Sequence, residues 1–138
     1  MLDIVFHVEH SFPFNENNVR VWLLNSANEL GHSTGELNFI LQNKDSHLEL
    51  NKASLNHNYY TDILTFDYRD QPHDDLVADI FINTDMVQEN ALQYGCSPLE
   101  ELKRVMIHGV LHLSGFDDHT KEEQEAMREK ENEFLAKI

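Results

Sequence analysis

Disulfides, membrane spans and a positively charged surface are all missing from this sequence. The chain has one cysteine, Cys96. It can form no internal disulfide, so the fold does not depend on oxidation, which fits a reducing compartment. No run approaches the ~20 apolar residues of a membrane-spanning helix, so no membrane partner is expected. Residues 1–10 carry neither the basic segment nor the long apolar core of a secretory signal, and a cytoplasmic location is expected. Basic residues are scarce: 10 Lys and Arg stand against 25 Asp and Glu, a formal net charge of −15. Phosphate contacts come from Lys and Arg, so the chain as a whole is no general polyanion binder. A small cationic cleft on an acidic body remains open, and a bound metal would add local positive charge. No Gly/Ser/Pro linker and no internal repeat divides the chain. Its 138 residues suit one domain, 1–138, with a core that needs no staples.

What is present reads as a mixture of strands and helices. Leu2 to Val8 reads as an opening strand. Asn15 or Asn18 can cap a helix through Val19, Trp22, Leu23, Ala27 and Leu30, stopped by Gly31. Gly35–Gln42 reads as a strand with Leu37, Phe39 and Leu41 on one face, and 45–55 as a short helix. Strands follow at Thr61–Phe66 and Leu76–Ile82, separated by a polar turn at 70–75. Thr84 is expected to cap a helix ending near Tyr94. Ser97-Pro98-Leu99-Glu100 and Thr120-Lys121-Glu122-Glu123 are capping-box starts for helices over about 98–114 and 121–136. Strands and helices do not alternate strictly. The expected fold is α+β, a single mixed four-stranded sheet covered by helices.

His108 and His112 lie four apart on the best-marked helix, so both imidazoles share one face. Nine histidines occur in the chain, and chance alone supplies roughly half such a pair. Context adds weight. Val105, Met106, Ile107, Val110, Leu111 and Leu113 surround the pair, and polar groups near a core need partners. Gly115 permits the left-handed turn that swings the chain back. Asp117-Asp118-His119 then offers a third ligand. Two ligands on a helix and one on the following turn leave a position open for water, the catalytic form of a zinc site. Zinc proteases of the His-Glu-x-x-His type carry their general base directly after the first histidine. Here that position is Gly109, which disfavours peptide hydrolysis.

The segment His108-Gly-Val-Leu-His-Leu-Ser-Gly-Phe-Asp117 resembles the His-Gly-x-Leu-His-Leu-x-Gly-Tyr-Asp-His pattern of the YbeY family of bacterial metal-dependent endoribonucleases. Asn51-Lys52 and Thr61-Asp-Ile-Leu-Thr-Phe66 are similar to a second segment of that family. The resemblance spans most of 50–135 and implies an α+β fold with one zinc ion. It also implies cleavage of single-stranded RNA in ribosomal RNA maturation, at the small-subunit 3′ end, and a part in ribosome quality control. The implied partners are ribosomal RNA and the small subunit or its associated proteins.

Two positions depart from the family pattern. The family's third ligand is a histidine six residues after the second, where this chain has Asp118. Met127 keeps its family distance from the first histidine, which argues against an insertion and favours Asp118, with His119 the alternative. The family's arginine, thought to act on the RNA phosphate, is Lys52 here; the charge is kept and the bidentate fork is lost. The general base is unassigned. Arg104 and Glu101 precede His108 by one and two turns, where an ordinary surface ion pair is expected. His57 is expected to face solvent. Two rival readings are a metal hydrolase of another substrate and a non-catalytic ribosome-associated metal protein, the second favoured by the net −15.

Overall fold

The computed structural model describes residues 1–137. Its elements are β1 (Leu2–Val8), α1 (Glu16–Glu29), β2 (Gly35–Gln42), α2 (Lys44–Leu55), β3 (Ile63–Asp67), β4 (Leu76–Asn83), α3 (Thr84–Tyr94), α4 (Pro98–Leu113) and α5 (Lys121–Leu135). The strands form one sheet in the order β1-β2-β4-β3. β1, β2 and β4 run parallel, and β3 is antiparallel to β4. Parallel neighbours need a crossover, which α1 supplies between β1 and β2. The sheet is therefore mixed and helix-covered, as expected.

Side-chain caps set most helix starts. Asn15, Asn43, Ser97 and Thr120 each accept a backbone N–H of the first turn, and Thr120 and Glu123 complete a capping box. One expected cap is displaced. Asn83, not Thr84, caps α3, accepting from Met86 N–H at 3.1 Å. Thr84 is buried, and its hydroxyl already donates to Gln42 O at 3.0 Å and meets His10 Nδ1 at 2.6 Å. The third strand also begins two residues later than expected. Thr61 and Asp62 lie outside the ladder, although Asn83 N–H still donates to Asp62 O.

The core lies between the sheet and the helices. Leu37, Phe39 and Leu41 of β2 and Ala78, Ile80 and Ile82 of β4 are buried against Leu102, Met106 and Leu111 of α4. Each of these side chains except the smaller Ala78 contributes about 1.5–3 kcal/mol by leaving water. Gly109 sets how closely α4 approaches the sheet. A Cβ there would stand 2.8 Å from Ile80 Cδ1 and 3.1 Å from Ile63 Cδ1. The end of α5 is tied to α1, because Trp22 Nε1–H donates to Phe134 O at 2.9 Å.

Candidate metal centre

α4 presents His108 and His112 one turn apart, their ring centroids 4.6 Å from each other. The helix stops immediately afterwards in a Schellman motif. Gly115 adopts φ +97°, its N–H donates to His112 O, and Phe116 N–H donates to Leu111 O. A Cβ on Gly115 would meet nothing within 4 Å, so the left-handed backbone, not space, calls for glycine. The reversal carries Asp118 back to the histidines. One carboxylate oxygen lies 3.4 Å from His108 Nε2 and the other 3.4 Å from His112 Nε2.

The nitrogen and oxygen donors of His108, His112 and Asp118 all lie within 4.8 Å of one another. A tetrahedral ion with bonds of about 2.1 Å separates its ligands by about 3.4 Å, and each histidine Nε2 has one Asp118 oxygen at that distance. Two imidazoles and one carboxylate are also a donor set that suits zinc. The triad therefore fits a single divalent ion with one position left over.

Behind the triad stands a group with no motif of its own in the sequence. Glu131 of α5 accepts from His108 Nδ1–H at 2.7 Å. Its other oxygen accepts from Arg104 Nη1 at 2.8 Å, and Arg104 Nη2 donates to Asn132 Oδ1 at 2.8 Å. The expected surface pair of Arg104 with Glu101 is thus corrected. Packing of α5 on α4 turns the guanidinium toward Glu131, and Glu101 is itself buried. A signal for Glu131 was present: Met127, Glu131 and Phe134 form one buried stripe of α5 at four- and three-residue spacing, and an acid in such a stripe needs a partner.

The charges of this cluster follow from burial and pairing. Burial opposes charge on His108, but the bond to Glu131 and the nearby Glu131, Asp118 and Asp62 prevail and raise its pKa. Burial likewise works against the Glu131 carboxylate, yet the bonds from His108 and Arg104 hold its pKa below the usual range. Asp62 moves the other way, pushed up by burial despite the charge of His108. Asp62, Glu101, Arg104, His108 and Glu131 share a cavity of about 180 Å³. A larger cavity of about 480 Å³ opens beside His112, walled by His32, Asp67, Arg69 and Ser114.

The remaining site candidates lie outside the triad. His119 is exposed next to Asp118. Lys52 is exposed near the end of α2, and its only ionic partner among the described residues is Glu49 at 3.6 Å. His57 is exposed as expected and stacks on Tyr59, with ring centroids 5.0 Å apart. Gly109 faces the sheet, so a glutamate at this position would meet Ile80 instead of the triad.

A mixed-sheet α+β domain with a His/His/Asp triad on a helix and its glycine turn is the class that fold and site define. The sequence profile of the family described as Endoribonuclease YbeY matches residues 9–138, and the chain belongs to that family. Endoribonuclease YbeY of Bacteroides thetaiotaomicron is 44% identical over 115 residues, covering 83% of this chain and 82% of that protein. Endoribonuclease YbeY of Christiangramia forsetii is 40% identical over 135 residues, 97% of this chain and 93% of that protein. Among solved structures, the solution structure of TM1509 from Thermotoga maritima superposes with a TM-score of 0.67 at 25% identity, covering 98% of this chain and 87% of that one.

Proposed function

We propose that this chain is a cytoplasmic, zinc-dependent endoribonuclease specific for single strands. It acts as one unit, 1–138, in ribosomal RNA maturation at the small-subunit 3′ end and in ribosome quality control. Its relatives carry the name Endoribonuclease YbeY. The observation that carries the reading is the convergence of His108, His112 and Asp118 donors within 4.8 Å. No helix among the described residues is long and apolar enough to cross a membrane.

When bound, a divalent ion supplies Lewis acidity toward water and toward a phosphate oxygen. The chain's own residues do the rest. His108 and His112 present Nε2 toward Asp118, whose carboxylate adds negative charge to hold the cation. Position 109 faces the sheet, so no general base of the zinc-protease kind stands beside the triad, which disfavours peptide hydrolysis. The cavity of about 480 Å³ beside His112 falls in the size range of small-ligand sites and has room for a nucleotide unit. Lys52 is the catalytic cation of this proposal, neutralising charge that develops on the scissile phosphate.

The test combines elemental analysis with cleavage of a quenched single-stranded RNA. About one zinc per chain, turnover stopped by a chelator and restored by zinc, and a fold that survives chelation are expected. Metal-free active protein would overturn the reading. Melting on chelation with no turnover at any zinc concentration would favour a non-catalytic metal protein, since structural zinc contributes directly to folding.

A further inference from the structure

We propose that Glu131 is a positioning residue of the metal centre, fixing from α5 the His108 tautomer whose Nε2 is free to bind the ion. The inference rests on the triad reading above. It begins with the way Glu131 divides its two oxygens. A carboxylate that served only to dock α5 would be satisfied by Arg104 in a two-pronged pair. Instead one oxygen takes Arg104 Nη1 at 2.8 Å and the other takes His108 Nδ1 at 2.7 Å. The Glu131 side chain is only 7% exposed, so water does not compete for either bond.

An ionised carboxylate can only accept, so the hydrogen must sit on Nδ1 of His108. A neutral imidazole with its proton on Nδ1 has its lone pair on Nε2, the nitrogen that faces Asp118 at 3.4 Å. His112 has no such support, since among the described residues the only ionic or hydrogen-bonding partner of its side chain is Asp118. The two histidines are therefore unequal, and the C-terminal helix belongs to the centre although it supplies no ligand. Carboxylates that orient a ligating histidine typically change metal affinity by about 10–100-fold.

Arg104 makes the proposal sharper. In Glu131→Gln the guanidinium still needs an acceptor and claims the amide oxygen. The amide NH₂ is then turned toward His108 Nδ1, which drives the proton to Nε2 and opposes metal binding. Adding Arg104→Met frees the amide to flip, so its oxygen can accept from Nδ1–H again. A docking role for Glu131 would show no such recovery, because the second substitution removes still more of the helix contact.

The experiment measures zinc affinity by competition with a chromophoric chelator, with thermal unfolding as the check on folding. Glu131→Gln should weaken zinc by about 10–100-fold, and Glu131→Gln with Arg104→Met should recover at least about threefold of that loss. A smaller loss in the single variant, or no recovery in the double one, overturns the proposal. Imidazole ¹⁵N spectra of the zinc-loaded wild-type protein judge it without any variant: a protonated Nδ1 on His108 is expected, and an unprotonated one overturns it. If the wild-type protein takes up no zinc, the triad reading fails. The same spectra at alkaline pH then decide the Glu131 bond separately.

Discussion

His47 and His108 occupy opposite kinds of interior. His47 on α2 is fully buried, and neither ring nitrogen has a hydrogen-bond partner. Burial alone acts on it and lowers its pKa from 6.5 to about 4. His108 is less buried but has a carboxylate at each nitrogen, and its pKa moves up. Desolvation makes a histidine an inert, neutral filler, whereas paired carboxylates make the same side chain ready for a cation. Which of the two results depends on the acids supplied by neighbouring elements, here the turn carrying Asp118 and the helix carrying Glu131.

Substitutions on either side of this contrast put it to the test. The largest effect is expected from His112→Ala, which leaves one imidazole and one carboxylate. Elemental analysis should find no bound zinc, and RNA cleavage should fall at least roughly 10³-fold, since a Lewis acid is worth several kcal/mol. The same substitution at His47 should cost no metal. Next comes acid sensitivity. As pH falls below 6.5, the unfolded chain takes up a proton at His47 that the folded chain refuses until about 4. The stability tied to His47 is complete above that window and is lost through it, about 3 kcal/mol in all. Urea unfolding at pH 7 and pH 4.5 should show this loss in the wild type and a correspondingly flatter response in His47→Leu. Parallel losses would show that His47 is not the cause.

Lys52→Ala is expected to lower kcat/KM by roughly 10–100-fold with unchanged zinc content, and Lys52→Arg to retain activity. Loss of metal from Lys52→Ala would place its effect in the fold instead. The smallest effect belongs to His119→Ala, which should leave zinc content unaltered while Asp118→Ala depletes it. The reverse result would transfer the third ligand to His119.

Short-range chemistry made much of this molecule legible in its sequence. Ser97-Pro98 and Thr120 with Glu123 marked the flanks of the metal centre, because caps act over three residues. Gly115 announced the reversal that brings Asp118 to the histidines. Choices made by tertiary packing were not legible. Thr84 reads locally as a cap, yet its hydroxyl is taken up by Gln42 O, 42 residues away. Arg104 had Glu101 within one helix turn but pairs with Glu131 across the α4–α5 contact. Glu131 itself lies 23 residues from His108, and no local pattern joins them. The cost of leaving His47 without partners is likewise invisible until the fold surrounds it.

The bond between Trp22 and Phe134 has a spectroscopic consequence. Trp22 is the sole tryptophan of the chain, and it is buried with its indole N–H held by the last turn of α5. Release of that turn would hydrate the indole and shift its emission to longer wavelength. The helix that carries Glu131 thus comes with its own label-free fluorophore, 112 residues upstream, and its docking can be followed in real time while zinc is added or withdrawn.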